Sequence, residues 1–276
     1  MTPRSRFKYW LHQNCPGFAG SFRYFGVEVF FPRGSVIFKM ICEQGFYERD
    51  NARLLATLAG RKPGGVVFDV GANIGSMAIP ILDSRPSCRV VSFEPSPGTS
   101  DCLRRTITGS RFRDRWQLVE KAAGEMEGTC EFFAADSGLD AYNGFANTQR
   151  TAKARRLEVQ VTTLDAQWKD LGCPPVSVIK IDVEGAELRV LAGAREVIAA
   201  ERPAILLEWN MLNLRAYGKE PGDLLAPTAG LGYRVISAPH LIPVASVEDL
   251  EVQMLQTESF LLVPGAGLSG SAVPSE

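Results

Sequence analysis

Val66-Val67-Phe68-Asp69-Val70-Gly71-Ala72-Asn73-Ile74-Gly75 is the stretch on which the fold turns. An apolar strand runs straight into a turn that contains two glycines, and a helix opens after it. Glycine in such a turn permits positive φ and lets a ligand come close to the main chain. Alone, Gly-x-x-x-Gly is weak evidence. The next strand, Val90-Val91-Ser92-Phe93-Glu94, sharpens it, because it ends on a second carboxylate about one strand-helix unit later. A carboxylate there can accept both hydroxyls of a nucleoside ribose.

Outward from that turn, short apolar strands alternate with helical stretches. They cover Val66 to Val70, Arg89 to Phe93, Gln117 to Val119, Val176 to Ile181 and Ala204 to Glu208. The alternation predicts βαβ units and a mostly parallel sheet with helices on both faces. Tyr233 to Ser237 and Ser259 to Val263, with loop-like sequence between them, are expected to pair antiparallel at one edge. An insertion carries strands at Thr129 to Ala134 and Leu157 to Val161, around a polar loop from Asp136 to Arg156 that suits a lid or a connector. Upstream, Phe22 to Phe31 and Ser35 to Ile41 read as a hairpin around Pro32-Arg33-Gly34, followed by a helix over Tyr47 to Leu58. The chain therefore divides into a lead-in hairpin and helix over 1–62, a cofactor-binding domain over 63–264 and a flexible tail over 265–276.

Two nucleoside cofactors compete for such a turn. A dinucleotide pyrophosphate needs the spacing G-x-G-x-x-G, and here the second glycine position is Asn73. Asp69 also brings negative charge to the turn, which repels a pyrophosphate and suits the sulfonium and ammonium groups of S-adenosylmethionine. A parallel sheet finished by an antiparallel hairpin is likewise the methyltransferase variant of the Rossmann theme. Charge and topology together point to S-adenosylmethionine; an NAD-dependent oxidoreductase and a non-catalytic cofactor-binding scaffold are the alternatives.

The chain resembles the FkbM-type methyltransferases, over about residues 45 to 264. The resemblance is carried by Asp69-Val70-Gly71-Ala72-Asn73-Ile74-Gly75, Phe93-Glu94-Pro95-Ser96-Pro97, Thr163-Leu164-Asp165 and Lys180-Ile181-Asp182-Val183-Glu184-Gly185-Ala186-Glu187, with Gly45-Phe46-Tyr47-Glu48 upstream. It implies a class I methyltransferase fold and methylation of hydroxyl oxygens on sugars or secondary metabolites. It also implies cofactor contacts from Glu48, Asp69, Gly71, Ala72, Asn73, Gly75, Glu94, Pro95, Ser96, Ala122 and Asp182. The methionine end would lie over Asp69 to Gly75, the ribose on Glu94 and the adenine near Glu120 to Ala122. Glu120-Lys121-Ala122 departs from the Asn or apolar residue that relatives have before the alanine, and Ser137-Gly138-Leu139-Asp140 departs from a Gly-Leu-Ser-Ser-like segment.

Catalytic candidates follow from strand ends, since ligands of open α/β sheets sit at the carboxyl edge. Lys180 and Asp182 share one face of their strand, Glu184 follows as the next helix begins, and Glu208 closes another core strand. Transfer to an alcohol needs alignment and a proton acceptor, so Asp182 or Glu208 is the candidate base, with a purely orienting role for both as the alternative. Glu184 is either a site residue or an anion favoured by a helix dipole.

Composition bounds the partners. The chain has 276 residues, 45% of them apolar, and 30 basic against 31 acidic side chains give a net charge of -1. That balance provides no steering toward nucleic acid. With two histidines and six cysteines that form no C-x-x-C pair, no metal site and no disulfide framework are expected, an all-carboxylate Mg²⁺ site being the alternative. No apolar run reaches membrane-spanning length, so a cytoplasmic protein with a small-molecule or sugar acceptor is expected. The aromatics Phe22, Tyr24, Phe25, Phe30 and Phe31 read as core packing, with a homo-oligomer face as the alternative.

Overall fold

The structure, a computed structural model, describes residues 3–15, 18–135 and 154–265. The chain opens with helix α1 (Pro3–Asn14), the hairpin β1 (Gly20–Tyr24) and β2 (Val27–Phe31), and helices α2 (Val36–Gln44) and α3 (Arg49–Ala59). Then come β3 (Val66–Val70), α4 (Ala78–Ser84), β4 (Arg89–Phe93), α5 (Pro97–Gly109) and β5 (Trp116–Val119). A three-stranded insertion follows: β6 (Ala122–Ala123), β7 (Gly128–Ala135) and β8 (Ala154–Thr162). After α6 (Leu164–Asp170) the core resumes with β9 (Val176–Ile181), α7 (Glu187–Ala192), α8 (Arg195–Glu201) and β10 (Ala204–Glu208). Helices α9 (Met211–Ala216) and α10 (Leu225–Gly230), strand β11 (Tyr233–Ser237), short β12 (Pro243–Val244), α11 (Val247–Met254) and β13 (Ser259–Pro264) complete it.

The main sheet runs β12-β11-β13-β10-β9-β3-β4-β5. Strands β10, β9, β3, β4 and β5 are parallel, and β13 enters antiparallel between β10 and β11. From β3 the chain winds outward to β5, then returns to β9 on the other side of β3. The connections leaving β3 and β9 therefore part in opposite directions and open a crevice at their carboxyl ends, where open α/β sheets bind ligands. Period-two alternation divides the strand residues between two faces. Val67, Val178 and Leu206 join one core with the lead-in residues Phe22, Phe38 and Leu55, whereas Phe68, Ile179 and Leu207 join another with Trp168, Trp209 and Phe260. The lead-in thus covers one face of the sheet.

Four details differ from the sequence expectations. The hairpin closes at Phe25-Gly26, both with positive φ, which matches a two-residue turn that follows the twist of its strands. Ser35 to Ile41 is helical: the Ser35 side chain accepts the Phe38 N–H at 3.3 Å, and Ile37, Phe38 and Ile41 are buried. A serine cap and that spacing prevailed over the β-branched start that reads as a strand. The aromatic lead-in carries helix α1, and the connection before β13 contains α11, with a capping box between Ser246 and Asp249. Of the expected aromatic core, Phe22, Tyr24 and Phe31 are buried and Phe25 packs against them, whereas Phe30 lies under the Arg105 guanidinium; the Phe31 and Phe38 rings stack 4.0 Å apart. Insertion strands β7 and β8 pair antiparallel; the rest of the polar loop, 136–153, and the tail beyond Gly265 lie outside the described residues.

All six cysteines are free, Cys88 and Cys102 buried and Cys15 and Cys173 exposed. Among the described residues no helix is long and apolar enough to cross a membrane.

Gly71, just past β3, packs against the backbone at the end of β9. Its φ is +75°, and a Cβ there would lie 1.7 Å from the Asp182 carbonyl oxygen. Gly71→Ala is expected to cost about 3 kcal/mol from strained φ and backbone overlap together, read as a lower urea midpoint; a loss below about 1 kcal/mol would show that the two strand ends separate freely.

Candidate active site

A cavity of about 590 Å³ lies over the carboxyl ends of β3, β4, β9 and β10, within the size range of small-molecule sites. Its floor is the turn after β3. Gly71 and Ala72 donate their N–H groups to the Phe93 carbonyl at 3.1 and 3.0 Å, which fastens the turn to the end of β4. Asn73, where a dinucleotide motif would have glycine, takes φ +49°; asparagine tolerates that region better than most side chains. Gly75 faces away from the cavity, and a Cβ there would meet the Trp116 ring at 2.5 Å. Its absent side chain serves packing.

Glu94 is 5% exposed and lines the cavity. One carboxylate oxygen accepts the Asn73 N–H at 3.0 Å and the other accepts the Ser96 N–H at 2.9 Å. It therefore ties the β3 and β4 loops together, a duty invisible in the sequence. Pro95 lines the cavity beside it, whereas Ser96 contributes through its backbone.

Under the floor, Asp69 and Lys180 are register partners on adjacent strands, 1% and 5% exposed. The Lys180 Nζ donates to the Gly71 carbonyl at 3.0 Å and lies 3.1 Å from Asp182 Oδ2 and 3.7 Å from Asp69 Oδ1. Burial lowers the Lys180 pKa, but the charges of Asp182 and Asp69 outweigh it and hold the ammonium above its usual range. Burial raises the Asp69 carboxyl, opposed by Lys180. Asp69 also accepts from the Ser92 hydroxyl, which in turn accepts from the Trp116 indole N–H at 2.9 Å. Asp69 is thus set behind the cavity wall, with Lys180 between its charge and that of Asp182.

The far wall is acidic. Asp182, Glu184 and Glu208 each bring an oxygen within 4.8 Å of the others. Burial pushes the Glu208 carboxyl well above the usual range, and the charges of Asp182 and Glu184 push it further. Glu208 is held by the Asn210 and Asn213 amides at 3.0 and 3.4 Å. Carboxylates this close share either a proton or a cation. Glu184 does not sit at a helix start as expected: its φ is +58° and α7 begins three residues later at Glu187.

Glu48 reaches the same cavity from the lead-in, with φ +41°, its carboxylate accepting the Asn51 amide at 3.1 Å and raised by burial and by Asp182. Beside it, Tyr47 lines the cavity, its phenol held well above the usual range by burial and by Glu48, Asp182 and Glu208.

Of the expected residues, the cavity gathers Glu48, Gly71, Ala72, Asn73, Glu94, Pro95, Ala122, Asp182, Glu184 and Glu208, and leaves Asp69, Gly75 and Ser96 behind its wall. Glu120 turns outward to Arg104 and the Ser100 hydroxyl, so Lys121, Ala122, Ala123 and Phe132 form that end. Residues missed in the sequence include Val36, Ile37 and Met40 on α2, Phe132 on β7 and Leu212 on α9. The Ser35 cap was the available signal for α2; nothing local marks Phe132 or Leu212.

A switch-point crevice with a glycine turn, an acidic second strand end and the β13 strand inserted antiparallel defines the class I methyltransferase fold. Residues 69–235 match the model of the FkbM methyltransferase domain, and the chain belongs to that family. Similar curated proteins are the 2-O-methyltransferase NoeI of Sinorhizobium fredii, 28% identical over 51% of this chain and 62% of that protein, and the 31-O-demethyl-FK506 methyltransferase FkbM of Streptomyces tacrolimicus, 28% identical over 64% and 75%. The hexuronic acid methyltransferase AglP of Haloferax volcanii is 30% identical over 53% of this chain and 56% of its own length. Among solved structures, an FkbM methyltransferase from Methylobacillus flagellatus aligns with 72% of this chain and 43% of its own at 19% identity and TM-score 0.45.

Two measurements probe the charge arrangement. Lys180→Met leaves Asp69 buried without its cation and is expected to cost about 3 kcal/mol, with part recovered in the double variant with Asp69→Asn; full additivity of the two losses would refute the pair. For Glu208, the raised folded pKa means that the unfolded chain releases its proton first as pH rises. Stability therefore falls from the usual carboxyl pKa up to the raised one, and Glu208→Gln should melt higher than wild type at pH 8 and alike at pH 4. A gap that widens toward acid would reverse the assignment.

Proposed function

We propose that this chain transfers a methyl group from S-adenosylmethionine to a hydroxyl of a sugar or small secondary metabolite. The observation that carries the reading is the single cavity in which Glu94 stands at one end and Asp182, Glu184 and Glu208 at the other, with the Gly71 turn between them. The donor set suits the cofactor: Glu94 offers paired acceptor oxygens to a ribose, and the excess of carboxylates over Lys180 and Lys121 suits a cationic sulfonium and amino group. Bound, the cofactor supplies a methyl group on sulfur that leaves as a neutral thioether.

The protein's own tasks are alignment and proton acceptance. Gly71, Ala72 and Asn73 bring backbone to the methionine end, and Asp69 acts on it through Lys180. Ala122 and Phe132 flank the adenine end. Val36, Ile37, Met40, Tyr47 and Leu212 border the acceptor side with apolar surface that limits water. Glu208, made more basic by burial and by the charges of Asp182 and Glu184, accepts the hydroxyl proton when ionised, and Asp182 orients the hydroxyl. The relatives NoeI, a 2-O-methyltransferase, and FkbM, a methyltransferase of 31-O-demethyl-FK506, support oxygen as the methylated atom. Asn73 and the family membership speak against NAD.

The test is parallel calorimetric titration with S-adenosylmethionine, S-adenosylhomocysteine and NAD. Micromolar binding of the two adenosyl ligands and none of NAD is expected, with Glu94→Ala weakening both by about 30-fold through loss of a charged acceptor. Binding of NAD alone, or of none, would sink the proposal. A radiolabelled methyl screen over hydroxylated acceptors then separates an enzyme from a scaffold.

A further inference from the structure

Glu187 is 1% exposed, does not line the cavity, and has no part in the chemistry above. Although it is the first residue of α7, its Oε1 reaches backward and accepts the Val183 N–H at 3.3 Å and the Gly185 N–H at 3.0 Å. Both donors belong to the turn that carries Asp182 and Glu184 into the cavity. That turn is unusual backbone. Glu184 and Gly185 have φ +58° and +107°, and a Cβ on Gly185 would meet the Tyr217 ring at 2.5 Å. A non-glycine residue in the left-handed region persists only where its surroundings hold it there. On the other side the turn is tied to the cofactor floor, for the Asp182 N–H donates to the Val70 carbonyl at 3.1 Å.

We propose that Glu187 is a positioning residue, whose buried carboxylate clamps the Asp182–Gly185 turn through two backbone N–H groups and so holds the Asp182 and Glu184 side chains at the cavity wall. Without the clamp the two N–H groups lose their buried acceptor, and the turn gains freedom at the point where it borders the Gly71 loop. Burial pushes the Glu187 carboxyl up to about 7, with the backbone N–H groups opposing and the charge of Asp182 adding. The charged groups that face it are the carboxylates of Asp182 and Glu208. An acceptor kept buried among like charges fits a geometric duty better than an ion-pairing one. The effect on the site rests on the adenosyl-cofactor reading; the clamp itself does not.

Two variants separate hydrogen bonding from packing. Glu187→Met keeps the buried volume and removes the acceptor, and Glu187→Gln keeps an acceptor oxygen. Hydrogen exchange of the unliganded protein over residues 182–186 and calorimetry with S-adenosylhomocysteine at pH 8 are the readouts. Glu187→Met should speed exchange in the turn and weaken binding by about tenfold each, as two lost hydrogen bonds imply, and Glu187→Gln should restore both to within about threefold of wild type. Unchanged exchange in Glu187→Met, or equal damage in Glu187→Gln, would overturn the clamp. Faster exchange in Glu187→Met beside a wild type that binds no S-adenosylhomocysteine would support the clamp and overturn the cofactor reading.

Discussion

The arrangement depends on one buried cation. Lys180 stands at the point where β3 and β9 part and is shared by Asp69, Asp182 and the carbonyl of Gly71. An ammonium so enclosed is tolerated only because two carboxylates and a carbonyl surround it, and the same contacts fix the height of the glycine turn relative to the end of β9. Gly71 then has to be glycine, because the Asp182 carbonyl occupies the space of a side chain. The cavity floor and the acidic wall are thereby set by one cluster.

From that cluster the site extends along two carboxylates with different work. Glu94 joins the loops after β3 and β4 and lines the cavity. Glu208 is held by two asparagine amides in the field of Asp182 and Glu184, which raises its proton affinity. Glu94 is thus held by backbone N–H donors, while burial and like charge raise the Glu208 carboxyl.

Most of the sheet was legible because buried parallel strands are short apolar runs bounded by turns, and the pattern survives without tertiary context. The lead-in was less so. Ser35 to Ile41 has the composition of a strand and becomes helix α2 through a serine cap and packing of Phe38 on Phe31. Helix α11 was hidden in a stretch of mixed polarity whose capping box, Ser246 with Asp249, is a short-range signal easily passed over.

The sequence by itself determined the strand-turn-helix at Val66 to Gly75 and the acidic strand ends at Asp69, Glu94, Asp182 and Glu208, because those follow from local spacing and charge. Only the tertiary structure decided which of these groups face the cavity. Asp69 withdrew behind Lys180, Gly75 served the Trp116 ring, and Val36, Met40, Phe132 and Leu212 arrived from distant elements. The physical reason is that a side chain's direction and its partners across the sheet depend on register and on which helices cover each face, and neither is encoded within the few residues around it.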